Sequence, residues 1–188
     1  MAERLPKKLT VEEYLALEEA DGIKYEYIDG EIYAMSGGTR IHSRIAVNCT
    51  TSIDMQTRGK SCEVFNSDMR VKITDIKYVY PDFSVVCGEP KFSDEKETML
   101  INPIFVAEVM SPSSIDYDSG TKANFYRSLP SVQVYLLIDQ DRPFAQLFTR
   151  HESGWLLREY EGLDKTIPLD SIGCHLEMSE VYLDVFET

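Results

Sequence analysis

Two apolar runs, each interrupted by a single carboxylate, constrain this chain more than any other feature. The first reads Tyr78-Val79-Tyr80-Pro81-Asp82-Phe83-Ser84-Val85-Val86-Cys87 and the second Ile104-Phe105-Val106-Ala107-Glu108-Val109-Met110-Ser111-Pro112. β-Branched and aromatic residues dominate both, and Gly, Pro or Ser bounds them, so both read as buried strands. An ionised carboxylate taken out of water must be paired, bind a metal or become neutral, because its bare desolvation costs many kcal/mol. Asp82 and Glu108 are therefore the residues that need an explanation. On adjacent strands they would share one cation, and Lys122, in the helix that follows, adds a base. Hard oxygen ligands suit Mg²⁺, which keeps several waters and takes only one or two protein carboxylates. A metal-bound water of lowered pKa beside an ammonium is what phosphodiester hydrolysis asks for.

Size and charge bound the alternatives. With 188 residues, 43% of them hydrophobic, the chain can bury a full core, and a single domain over 1–188 is expected. No apolar run approaches the ~20 residues of a membrane helix, and Met1 to Lys8 lacks the apolar centre of a signal peptide, so a cytoplasmic protein with no membrane partner is expected. Cys49, Cys62, Cys87 and Cys174 are widely spaced without a C-x-x-C pair and read as reduced packing residues. The formal charge of −13, from 32 acids against 19 bases, works against non-specific attraction to nucleic acid. Any nucleic-acid function therefore needs a local basic patch, a bound cation or a dimer cleft.

Along the chain, Thr10-Val11-Glu12-Glu13 is a capping box that starts a short helix, which Asp21-Gly22 ends. Asp29-Gly30, flanked by alternating apolar residues, marks a hairpin, and Glu31 directly after it is either a solvated hairpin residue or a third acid turned toward the cluster. Ile41, Ile45, Cys49 and Ile53 recur every fourth residue through a second helix. At its start, His42 is either a surface or capping histidine or a polar contact at the rim of the site, with Arg40 and Arg44 forming a small basic face. Cys62 to Ile73 reads as one strand kinked at Asn66-Ser67-Asp68. Asp118, Lys122 and Tyr126 fall on one helical face, which fits either a catalytic lysine or an exposed ion pair worth well under ~1 kcal/mol. Val132 to Asp139 is a third buried strand, residues 143–160 form a C-terminal hairpin, and the apolar residues of the tail cap the core or a partner subunit.

Together, Asp29-Gly30-Glu31, Met35-Ser36, His42, Tyr80-Pro81-Asp82, Ala107-Glu108-Val109-Met110-Ser111-Pro112-Ser113-Ser114, Asp118, Lys122, Tyr126 and Val134 to Asp139 resemble the Uma2 family, grouped with restriction endonucleases. The resemblance spans roughly Leu9 to Tyr160. It implies an α/β, restriction-endonuclease-like fold, a mixed β-sheet flanked by helices, here with an N-terminal helix-hairpin and a C-terminal β-hairpin. It also implies a metal-dependent PD-(D/E)XK nuclease site acting on DNA. Asp82 and Glu108 then hold Mg²⁺ or Mn²⁺, and Glu31 matches the acid from the N-terminal part. Met110 stands where the motif lysine belongs, so Lys122 would reach in from the helix to replace it. His42, Arg44 and Tyr126 are the expected substrate contacts, and a homodimer is the expected assembly. The other class of function is a nuclease-fold protein with little or no cleavage that acts as a binding or regulatory module, which the acidic composition favours. A sugar or protein ligand site in the same pocket is a third.

Overall fold

The computed structural model describes residues 8–112 and 114–186. The N-terminal residues read above for a signal peptide lie largely outside that range, as does Ser113.

The chain begins with α1 (Val11–Asp21), held by the expected reciprocal cap: Glu13 N–H donates to Thr10 Oγ1 at 3.2 Å and Thr10 N–H to Glu13 Oε2 at 2.9 Å. The Asp29-Gly30 turn joins β1 (Tyr25–Ile28) to β2 (Glu31–Ala34), with φ of 53° and 93° at its two residues, the positive values that a tight hairpin demands. Then follow α2 (Arg40–Thr57), β3 (Cys62–Asn66), β4 (Arg70–Thr74), β5 (Lys77–Val79), β6 (Phe83–Cys87), β7 (Met99–Leu100) and β8 (Phe105–Met110). A π-helical turn (Tyr117–Lys122) runs into α3 (Ala123–Ser128), and the chain closes with β9 (Val134–Asp139), β10 (Phe144–His151), β11 (Gly154–Glu161), β12 (Thr166–Leu169), β13 (Cys174–Glu177) and α4 (Met178–Val181).

The main sheet has the order β11-β10-β9-β8-β6-β3, with β8 and β9 parallel and the other pairs antiparallel. A second sheet has the order β2-β1-β5-β4-β7, and β12 pairs with β13. The α2 stripe Ile45, Cys49 and Ile53 is fully buried against one face of the main sheet, where each isoleucine contributes on the order of 1.5–3 kcal/mol. The tail packs there too, through Ile167, Leu169, Leu176, Met178 and Val181, so these apolar residues cap the core of their own chain. On the other face, Val106, Tyr135 and Leu137 meet α3 (Ala123, Tyr126) and the second sheet (Val71, Val79). The far side of the second sheet is closed by α1 through Tyr14, Tyr25, Tyr27 and Tyr78.

Three expectations need correction. Cys62 to Ile73 is not one strand: β3 belongs to the main sheet and β4 to the second, and Asn66 Oδ1 accepts Asp68 N–H at 3.0 Å in the turn between them. The run from Tyr78 to Cys87 likewise breaks at Tyr80-Pro81-Asp82, because proline has no N–H for a ladder, and the chain changes sheets there. Finally, Cys62 and Cys87 form a disulfide. They stand directly opposite each other on β3 and β6, a juxtaposition that a separation of 25 residues hides. Cys49 and Cys174 remain free and buried as expected. Reducing the Cys62–Cys87 bond is expected to lower unfolding free energy by about 2–4 kcal/mol, read from urea denaturation with and without a phosphine reductant; coincident curves would show that the bond contributes nothing.

Candidate active site

The first pairing of β6 with β8 is Phe83 with Ala107, so one step further along the two chains lie Asp82 and Glu108. They are clipped together through the backbone. Val109 N–H donates to Asp82 Oδ2 at 2.7 Å, and Asp82 N–H points to Glu108 Oε2 at 3.3 Å. Asp82 sits at the break that Pro81 imposes, which frees its amide from ladder bonding and turns its carboxylate toward Glu108. All six residues of β8 are buried, and Glu108 shares the face of Val106 and Met110, as the strand period requires.

Lys122 reaches this pair from the π-helical turn. Its Nζ lies 2.8 Å from Glu108 Oε1, 2.8 Å from Glu26 Oε1 and 3.1 Å from the Tyr80 carbonyl. These three acceptors match the three N–H donors of an ammonium. In a π-turn residues five apart stack, so Tyr117 stands one turn before Lys122, and its hydroxyl donates to Glu26 Oε2 at 2.8 Å. Both oxygens of Glu26 are thereby held by one turn of helix. Tyr80 N–H adds a 3.3 Å contact to Glu26 Oε1. On the other side of Tyr80, the hydroxyl donates to Glu18 Oε1 of α1 at 3.0 Å, and the ring lies under the Arg70 guanidinium, 5.5 Å away.

His42 enters from α2, with Nε2 3.0 Å from Asp82 Oδ2. A Cβ at Gly38 would stand 2.6 Å from His42 Nδ1, so only glycine leaves room for the imidazole there. Thr39 caps α2 by accepting His42 N–H at 3.1 Å, which fixes the helix start beside the site.

The electrostatics follow from too much acid in too little water. Burial pushes the Glu108 carboxyl well above the ordinary carboxylate range; Lys122 opposes the shift, and Asp82 and Asp118 add to it. Burial also raises Asp118, again against Lys122. Burial alone would lower Lys122, but Glu108 and Glu26 outweigh it and hold Lys122 as an ammonium, well above its usual value. For His42, burial is opposed by the hydrogen bond to Asp82 and by its charge, and the net shift is upward. Four carboxylates thus surround one ammonium and one imidazole.

Such a donor set fits a hard divalent cation. Among the described residues no group of three His, Cys, Asp or Glu is arranged as a complete metal cage. Mg²⁺ does not require one, since two carboxylates and several waters suffice. Asp82 Oδ1 accepts no hydrogen bond among the described residues, and Glu108 Oε2 takes only the long contact from Asp82 N–H. Each carboxylate therefore keeps an oxygen with spare coordination capacity.

The remaining expected site residues fall elsewhere. Glu31 pairs across the hairpin with Ile28 and accepts the Tyr33 hydroxyl at 2.8 Å; the acid that meets Lys122 from the N-terminal part is Glu26. Tyr126 is fully buried and donates to Glu108 Oε1 at 2.8 Å, so it anchors an acid and offers substrate no surface. Arg44 follows His42 by two residues, about 200° around the helix, and faces outward to pair with Asp184 at 3.1 Å. Sequence reasoning missed Glu26 and Tyr117. Glu26 did carry a signal: it lies between Tyr25 and Tyr27 in a strand, the same misplaced carboxylate that marks Asp82 and Glu108. Tyr117 had none, because its role depends on the π-turn.

Comparison with known proteins gives the family and the fold. The model of the Uma2 family, described as "Putative restriction endonuclease", matches residues 11–179. This chain belongs to the Uma2 family. An uncharacterized protein of Synechocystis sp., slr1290, is 39% identical over 178 residues, covering 93% of this chain and 92% of the relative. A second from the same organism, sll1609, is 38% identical over 158 residues, covering 83% and 89%. In three dimensions the Uma2 chain is similar to a crystal structure from Anabaena variabilis described as "a putative nuclease belonging to DUF820", with a TM-score of 0.77 and 22% identity, covering 95% of this chain and 99% of that one. The fold is restriction-endonuclease-like: mixed sheets flanked by helices.

Proposed function

We propose that this Uma2 protein is a divalent-cation-dependent endonuclease that hydrolyses phosphodiester bonds in DNA. The observation that carries the reading is the backbone clip between Asp82 and Glu108, which aligns two carboxylates with unspent oxygen lone pairs in an acid-rich, half-closed site. A Mg²⁺ or Mn²⁺ ion held by these two residues supplies Lewis acidity at phosphorus and a water of lowered pKa. The chain's own residues do the rest. His42 fixes one Asp82 oxygen and leaves the other facing the site; Tyr126 and Lys122 fix Glu108.

Lys122 acts here as a positioning residue. Its N–H donors are spent on Glu108, Glu26 and Tyr80, and these two acids favour its ammonium form, so in this reading it holds charge and position rather than taking the proton from water. It counters the local negative charge and holds the metal-binding acid at a fixed distance. Tyr117 and Glu26 fix Lys122 in turn.

The same closed set of contacts, with the −13 charge, favours the second reading, a nuclease fold that binds without cutting. The two separate in one assay, in which supercoiled plasmid is incubated with protein and either Mg²⁺, Mn²⁺ or a chelator. Conversion to nicked circles only with the cation is expected. Cation-independent binding without conversion would support the second reading, and no effect on DNA would end the first.

A further inference from the structure

We propose that the start of α2, together with the buried side-chain amide of Gln140, holds a phosphate of the DNA strand next to the one that is cut. The proposal rests on the nuclease reading and adds to it the groups that grip the strand. An α-helix begins with backbone N–H groups that have no partner inside the helix, and with the positive end of its dipole. In α2 the cap satisfies one of them, because Thr39 Oγ1 accepts His42 N–H at 3.1 Å. The backbone amides of Arg40 and Ile41 donate to nothing among the described residues, and residues 36–40 are exposed. A Cβ added at Gly37 would meet nothing within 4 Å, so the approach to these amides is open.

A bare helix start does not select phosphate over water; Gln140 does. It is only 6% exposed, yet half of its amide is idle: Oε1 accepts the Thr39 hydroxyl at 3.1 Å, while Nε2 has no partner among the described residues. A buried donor left unmade is costly, and an incoming acceptor relieves it. Oε1 and Nε2 hang on one carbon, so fixing the first on the cap residue sets the second beside the same helix start. An acceptor that serves Nε2 and the α2 amides together needs several oxygens and a negative charge, as a phosphodiester has. Position selects a strand phosphate. Three residues inside the cap, His42 Nε2 meets Asp82 Oδ2 at 3.0 Å. Gln140 N–H donates to the Met110 carbonyl at 3.1 Å, two residues beyond Glu108, where β8 and β9 run in parallel. The proposed metal acids and these donors are thus built on the same helix start and the same strand ends. Phosphates repeat every ~3.4 Å of axis along a strand, so one seated at the metal brings a neighbour toward the cap.

The test measures plasmid nicking with Mg²⁺ and, separately, anisotropy of a short labelled duplex on the full chain. Gln140→Glu keeps an oxygen for the Thr39 hydroxyl and replaces the idle donors with charge; Gln140→Met is neutral and of similar length. Both should raise KM and the duplex dissociation constant, Gln140→Glu by about tenfold or more, with a smaller loss in kcat. Stabilisation by Mn²⁺ should persist in both, because Asp82 and Glu108 are untouched, and urea midpoints check that each variant folds. Wild-type KM and duplex affinity in both variants overturn the proposal and leave the nuclease reading intact. Duplex binding without nicking, weakened by the variants, ends the nuclease reading and keeps the phosphate contact. A loss confined to kcat, or to Mn²⁺ stabilisation, assigns Gln140 to the metal instead and overturns the proposal. So does stabilisation by inorganic phosphate, lost in the variants, in a wild type that binds no duplex, because the site then serves the free anion. A wild type that binds neither ends both.

Discussion

Lys122→Met is expected to cost about 3–5 kcal/mol of unfolding free energy, because it leaves Glu26 and Glu108 buried without their shared counter-ion. Methionine keeps most of the volume and the unbranched shape, so the loss is electrostatic rather than a cavity effect. The check is a urea titration on wild type and variant. A companion variant, Lys122→Met with Glu26→Gln, separates the causes. The amide can still accept from the Tyr117 hydroxyl and carries no charge, so a sizeable part of the lost stability should return. If Lys122→Met unfolds at the wild-type midpoint, the ammonium does not bind this site together. Cleavage by the single variant should fall as well, since Glu108 would be free to rotate from the position that Lys122 and Tyr126 now share in fixing.

Asp82→Asn should have the opposite profile, with little effect on apo stability and a large effect on function. Asparagine retains an oxygen for the Val109 amide, and the change removes one of the charges that destabilise Glu108. Without the carboxylate, however, a divalent ion would lose one of the two protein ligands proposed for it. Wild-type protein at a hundredfold excess of Mg²⁺ or Mn²⁺ over its dissociation constant should gain about 2.7 kcal/mol of stability, and the variant should gain far less. Nicking should drop by about 10²-fold or more, because several kcal/mol of metal assistance are removed at ~1.4 kcal/mol per tenfold. A variant that keeps both the metal-induced stabilisation and the nicking would show that the ion binds elsewhere.

What was legible in the chain followed local chemistry. The Thr10 cap, the Asp29-Gly30 turn, the α2 stripe and the β8 and β9 strands are each written in a few neighbouring residues, and each formed as read. The approach of Asp82 to Glu108 was also legible, because a lone acid in an apolar strand has few tolerable fates. Lys122 was placed beside them from its helix following the second acid, while its spacing from Asp118 equally allowed an exposed pair. Three things were hidden. Which sheet a strand joins depends on breaks such as Pro81, so that one apolar run became two strands. Register between distant strands decides that Cys62 meets Cys87. The choice of Glu26 over Glu31 depends on which hairpin residue comes to lie over Tyr80 and the π-turn; the hairpin marks Glu26 as an acid between two buried tyrosines but not what it meets.

Tyr80 occupies both sides of the second sheet at once. Its hydroxyl reaches Glu18 of α1 and its ring lies under Arg70 of β4, while its amide and carbonyl belong to Glu26 and Lys122. The first helix is thus riveted to the floor under the ammonium. Trimming or loosening that helix would be felt around Lys122 as play in a bolt, without touching Lys122, Glu26 or Glu108.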